Sequence, residues 1–240
     1  MKLHAQESES FFKNVVRNVA EVGMRVNELK TQLLCLSTAI DSEVSSFIRT
    51  PTGQKIESGK CLKILGFHFD TNPSVECHVQ ELEKKIRKRA WIIRNLKKAG
   101  LSKKDVMNCY CSLVCPVLDY AVPVHHSMLN KCQIDGLEKL QRYIFKTIYR
   151  FDRSYSDVLQ NESIESLADR RQKLFDSFAL KMLSNPAVSG AWFLIKLFEH
   201  VNLRKERIFE EKYARTLRLY NSSLYAMRRR LNEITPVSYE

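Results

Sequence analysis

Phe11, Val15, Val16, Val19 and Val22 recur at spacings of three and four, the period of an amphipathic helix. The pattern predicts a helix over residues 8–22, capped by Ser8 or Ser10 and stopped by Gly23. The period then shortens. Residues 32–38 form a short apolar run that reads as a buried strand. Two more strands are expected near Ser46–Thr50 and Leu62–Asp70, with Pro51-Thr-Gly53 as the turn between them. A sheet this small, backed by one helix, is marginal alone.

From Pro73 onward the pattern is helical. Leu82, Ile86, Ala90, Ile93 and Leu96 make one apolar stripe, and Gly100 ends it. Ser102 opens the next helix, lined by Val106, Cys109, Tyr110, Leu113 and Val114, and Pro116 ends or kinks it. Further helices are expected over Asp135–Arg150, Ile164–Leu183, residues 188–200 and residues 203–219. The fold class is α+β, with a short antiparallel sheet and a helix followed by a mainly helical remainder. The expected divisions are 1–72, 73–184 and 185–240.

Charge changes this picture most. The chain of 240 residues carries a formal net charge of +12, which favours polyanionic partners, nucleic acid first and anionic membrane surface second. Much of the excess lies in one run, residues 84–104. Lys84, Lys85, Arg87, Lys88, Arg89, Arg94, Lys97, Lys98, Lys103 and Lys104 follow one another with no acidic residue between them. Because the apolar stripe faces a core, the cations belong on the opposite side. A solvated face is the ordinary reading of a charge run, but such faces mix signs. A one-signed ridge matches the spacing of backbone phosphates.

Other candidate chemistry is thinner. Cys109, Cys111 and Cys115 are spaced along a helix rather than on turns, so they read as core cysteines and not a zinc site. His125-His126 reads as a pair of loop histidines. Arg170-Arg171 reads equally as a phosphate grip or as partners of Glu162 and Glu165, and Arg228-Arg-Arg230 as a solvated basic tail in preference to a short basic address or a phosphate contact. No apolar run approaches the roughly 20 residues of a membrane span. Seven cysteines without a secretory leader point to a reducing intracellular compartment, nucleus or cytoplasm.

Five segments in order carry a family resemblance: Val26-Asn-Glu-Leu-Lys-Thr31, Leu62-Lys-Ile-Leu-Gly-Phe67, Tyr110-Cys-Ser-Leu-Val-Cys-Pro-Val-Leu-Asp-Tyr-Ala121, Leu137-Glu-Lys-Leu-Gln141 and Leu167-Ala-Asp-Arg-Arg171. Together they resemble the end of the palm and the thumb of a non-LTR (LINE-like) retrotransposon reverse transcriptase. The likeness covers roughly residues 1–184. It implies a partial palm followed by a helical thumb and tail, with Met1 to Gln6 as the strand leaving the palm's Asp-Asp turn. It places Lys30 near an incoming triphosphate and Leu65-Gly66 in a hairpin against the primer end. His125-His126 departs from the family, which often has a Trp there.

The implied function is binding of primer–template nucleic acid: RNA, DNA or an RNA–DNA hybrid. The expected contacts are Lys30, Leu65, Gly66, Lys84, Lys85, Arg87, Lys88, Arg94, Lys97, Lys98, Arg170 and Arg171. Polymerisation by the family uses two metal ions on palm carboxylates. The chain has no adjacent Asp pair, so no catalytic or metal residues, no cofactor and no activity of its own are expected; magnesium is expected only for an intact family member. A missing polymerase half is a possible partner, and a membrane is not expected. Two alternatives stay open: a piece of an active polymerase whose frame continues upstream, and a domesticated helical protein-interaction module.

Overall fold

The structure is a computed structural model and describes residues 2–36, 47–71, 74–149, 153–193, 208–211 and 213–235, with side chains from Glu7 onward. It is mixed α+β and mostly helical, with two small antiparallel sheets. The chain forms two compact units, Met1–His78 and Val79–Glu240.

In the first unit, helix α1 spans Lys2–Glu21. Residues 2–6 of the segment 1–6 expected as a strand are therefore helical, because Lys, Leu, Ala and Gln are helix formers and no β-branched residue is among them. Gly23 stops the helix at φ +77°, with its N–H on the Ala20 carbonyl and the Met24 N–H on that of Val19. This paired arrangement needs a left-handed residue, which glycine supplies without strain. The expected strand over residues 32–38 is not a strand in its described part. Leu33 makes one isolated bridge to Ser58, and the Cys35 N–H donates to the Ser58 hydroxyl at 3.0 Å. A side chain takes the place of the next ladder partner; residues 37 and 38 lie outside the described part.

Strands β1 (Phe47–Arg49) and β2 (Lys55–Glu57) pair around the Thr50–Gln54 turn, with Ile48 opposite Ile56. Only Ile48 and Ile56 of these six residues are buried, as strict alternation on a half-buried sheet requires. Strands β3 (Cys61–Ile64) and β4 (Phe67–Asp70) form the second hairpin, with Ile64 opposite Phe67.

Helix α2 (Glu76–Lys98) begins at the end of the first unit and runs into the second. Leu82, Ile86, Ala90 and Ile93 are buried on one side, as the periodicity predicts. Gly100 closes the helix at φ +90°, and Ser102 caps α3 (Lys103–Leu113) by accepting the Asp105 N–H. Pro116 sits in the first turn of α4 (Cys115–Asp119), where its missing N–H costs nothing. Ala121 then adopts φ +56° before α5 (Val122–His125) and a 3₁₀ turn over His126–Met128. Helices α6 (Lys131–Tyr149), α7 (Tyr155–Asn161) and α8 (Leu167–Leu183) complete the main bundle.

Two apolar clusters fill this unit. The larger takes side chains from α2, α3, α4, α6, α7 and the start of α8, with Ile93, Val106, Leu137 and Ile148 at its centre. The smaller joins the second half of α8 to Phe193, Phe209 and helix α11 (Ser223–Ile234). Between α9 (Pro186–Trp192) and the short α10 (Leu217–Tyr220), residues 194–207 and 212 lie outside the described part, and with them part of the expected 188–200 and 203–219 helices; of the described remainder of the second, only residues 217–219 are helical. Helix α11 was not expected from the sequence.

A buried polar chain pins three helices. Tyr110 donates to Gln141 at 3.0 Å, Gln141 donates to Tyr155 at 3.0 Å, and Tyr155 donates to Glu138 at 2.5 Å. Gln141 is almost wholly buried, and each of its bonds satisfies a group that would otherwise be stranded in the core.

The histidine pair is not in a loop. His125 is fully buried in α5, its Nδ1 2.7 Å from the Ala121 carbonyl. His126 lies 3.1 Å from Gln172 and against the Phe175 ring, and burial lowers its pKa below the usual histidine value. Among the described residues no single helix is long and apolar enough to cross a membrane.

Candidate nucleic-acid interface

The core-facing stripe of α2 dictates what lies opposite. At 3.6 residues per turn, Lys84, Arg87, Trp91, Arg94 and Lys98 fall on one line along the outer side. All five are exposed, Trp91 at 61%. Lys88 lies beside Lys84 and is exposed, and Lys85 is exposed farther round the same flank, toward the apolar side. Lys97 departs from the expected ridge. It sits one turn beyond Ile93 on the apolar side and is half-buried.

Two of the ridge cations have acidic neighbours. Lys84 pairs with Glu81 at 2.5 Å and Arg87 with Glu83 at 3.6 Å, their cationic side chains 65% and 67% exposed. Solvated pairs of this kind contribute about 0–1 kcal/mol, so a phosphate can replace either carboxylate at small cost. The acidic residues stop at Glu83, and the outer line from Arg87 to Lys98 carries positive charge alone.

The surface continues onto α6. Arg94 Nη2 donates to the Tyr143 hydroxyl at 2.9 Å, and Tyr143 is 45% exposed. Lys139 and Lys146, four residues before and three after Tyr143, are exposed on the same line of α6. The result is two cationic stripes, each with an aromatic at its middle, joined by one hydrogen bond. Trp91, Tyr143, Lys139 and Lys146 were not identified from the sequence as contacts. The spacing of Lys139, Tyr143 and Lys146 was a readable signal; that their stripe adjoins α2 was not.

The other expected contacts divide. Lys30 is exposed at the end of a 3₁₀ turn over Glu28–Lys30. Asn27 caps that turn by accepting the Lys30 N–H at 3.2 Å, and the Thr31 hydroxyl donates to the Asn27 carbonyl at 3.0 Å. The Asn-x-x-Lys-Thr segment is thus a self-closing turn that presents its lysine. Leu65 and Gly66 form the two-residue loop between β3 and β4, with φ of +49° and +87°. Positive φ at both positions defines a type I′ turn, which suits Asn-Gly and strains leucine. Leu65 nevertheless occupies the strained position, and its side chain is 89% exposed.

Arg170 and Arg171 do not join the surface. Arg170 holds Asp119 through two bonds, Nε to Oδ1 at 2.9 Å and Nη2 to Oδ2 at 2.5 Å. Its charged form is favoured by that carboxylate, against the cost of burial. Arg171 is 1% exposed, and burial lowers its pKa while Glu138 raises it. A phosphate cannot reach Arg171 without opening the helix packing, whereas Arg170, its side chain 35% exposed, is already engaged by Asp119. Arg228-Arg-Arg230 is likewise no solvated tail. Arg228 is buried and donates to the Trp192 carbonyl at 2.8 Å, Arg229 lies 3.6 Å over the Tyr220 ring, and Arg230 clasps Asp176.

Cys109, Cys111 and Cys115 do not converge as ligands. Cys115 is buried and burial raises its pKa, Cys111 is exposed, and the helix breaks between them. No family model, no curated protein and no solved structure matches this chain.

Proposed function

We propose that this chain binds primer–template-like nucleic acid through the Lys84–Lys98 face of α2, and that it descends from the palm end and thumb of a non-LTR reverse transcriptase. The observation that carries the binding is the one-signed, exposed line of Lys84, Arg87, Arg94 and Lys98 with Trp91 at its middle. Cations on a rigid helix neutralise spaced phosphates and release counterions, and this term is indifferent to base sequence. An exposed indole among them offers a face for a base or a sugar.

The descent rests on ordered sequence segments, and the packing supports it in one respect. Residues from separate segments of the resemblance meet each other: Tyr110 meets Gln141, and Asp119 meets Arg170. Such pairing gives each segment a structural reason to keep its residue types. The proposal stops at binding. The chain has no adjacent Asp pair, so alone with magnesium or manganese it should extend no primer.

The test is fluorescence anisotropy of a labelled RNA–DNA hybrid with the full chain across a salt series. Binding should fall steeply as salt rises. Arg87→Gln, Arg94→Gln and Lys98→Gln should each reduce the logarithmic salt slope by about one. Binding that is independent of salt, or unchanged in the triple variant, overturns the proposal.

A further inference from the structure

The first unit brings two thiols and a carboxylate to one place, with an imidazole beside one of the thiols. Cys61 and Asp70 are directly opposite in the β3–β4 ladder, and His68 shares their face two residues from Asp70. Cys77 lies in the first turn of α2. The Cys61 and Cys77 sulfurs and a carboxylate oxygen of Asp70 all lie within 4.8 Å of one another. The Cys61 sulfur is 3.7 Å from His68 Nδ1.

The Cys61–His68 separation is that of neighbouring ligands on one small cation, and the three grouped atoms need close by no more than about 1 Å to reach it. Zinc binds sulfur at about 2.3 Å and nitrogen or oxygen at about 2.0–2.2 Å, so tetrahedral partners lie about 3.3–3.8 Å apart. Asp70 supplies an independent indication. Its side chain is 8% exposed. Oδ2 accepts from the Ser74 hydroxyl at 2.5 Å and the Cys77 N–H at 3.3 Å, while Oδ1 is buried with no donor at hydrogen-bond geometry among the described residues. A buried carboxylate oxygen beside two thiols is costly unless something positive meets it.

We propose that Cys61, His68, Asp70 and Cys77 bind one divalent zinc-class cation. The donor set is two sulfurs, one nitrogen and one oxygen, which suits zinc or cobalt and is poor for magnesium or calcium. On binding, each thiol releases its proton to solvent and the thiolate sulfur takes the metal. The spacing is Cys-x₆-His-x-Asp-x₆-Cys. The metal would tie both strands of the Leu65-Gly66 hairpin to the first turn of α2, and this role is independent of nucleic-acid binding.

The experiment is titration of the reduced, chelator-treated full chain with cobalt(II), followed by displacement with zinc. The expected result is one equivalent of cobalt with thiolate-to-cobalt charge transfer and the visible bands of a tetrahedral ion. Cys61→Ser and Cys77→Ser should each remove at least half of the charge transfer. Asp70→Asn should weaken binding at least about tenfold, and Cys132→Ser should change nothing. Peptide mapping of the unsubstituted chain guards against variants that fail to fold: zinc should shield Cys61 and Cys77 from alkylation and leave Cys111 and Cys132 open. Charge transfer that survives in both serine variants overturns the proposal. So does equal labelling of Cys61 and Cys77 with and without zinc, or a Cys61–Cys77 disulfide in protein purified under reducing conditions.

Discussion

Arg230 meets Asp176 as a fork on a carboxylate, with Nε to Oδ1 and Nη2 to Oδ2 both at 2.9 Å across 54 residues of sequence. The pair joins α11 to α8. Asp176 also accepts from Gln172 at 2.8 Å, and Gln172 in turn meets His126. One carboxylate therefore sits where α8, α11 and the turn after α5 converge.

Asp176→Asn keeps the shape and removes the charge. The side chains are 19% and 34% exposed, so solvent screens part of the pairing. The expected loss is about 1–2 kcal/mol, measured by denaturant unfolding. A loss below 0.3 kcal/mol, on the same order as experimental error, would show that α11 is held by Met227 and Leu231 alone.

His126 should make the protein acid-sensitive. Burial lowers its folded-state pKa below that of the unfolded chain, which is about 6.5. Above that value both states are neutral and the contribution is fully present. As pH falls below about 6.5 the unfolded chain binds the proton first, and stability declines until the folded pKa is passed. His126→Asn should flatten this part of the stability–pH curve. Parallel curves for the two proteins between pH about 5 and 7 would exclude His126 as the source.

Leu65 pays a conformational cost at φ +49°. Leu65→Asn should stabilise the first unit by about 1 kcal/mol, because asparagine tolerates that region. If the exposed side chain touches nucleic acid, the same substitution should weaken hybrid binding. Stabilisation with unchanged affinity would remove the hairpin from the interface.

Trp91 and Arg94 should separate stacking from charge. Trp91→Ala should weaken binding by about 1 kcal/mol and leave the salt slope intact. Arg94→Gln should flatten the slope. A salt slope that changes equally in both variants would mean that the indole positions its cationic neighbours rather than meeting the ligand.

Arg171 offers a check on the revised surface. Arg171→Met should leave hybrid affinity within about twofold, since the guanidinium is sealed in the core. A tenfold loss of affinity, with the same stability, would return Arg171 to the interface.

The sequence by itself determined the long helices α2, α3, α6 and α8, and which side of α2 and α6 faces inward. Leu82, Ile86 and Ile93, or Leu137, Ile144 and Ile148, are buried as their spacing required. Local capping chemistry was equally legible, as at Ser102 and Gly100, because a cap depends on neighbours within a few residues. The cationic outer line of α2 followed from the same periodicity. Partner choice did not. Arg170, Arg171 and Arg230 look like surface cations in a list of residues, and only packing brought Asp119, Glu138 and Asp176 to them. The Arg94–Tyr143 contact and the Cys61–Asp70–Cys77 group were also decided by tertiary structure. The reason is physical: burial patterns repeat along a chain with a fixed period, whereas a charge's partner is set by which distant segment the packed core carries into reach.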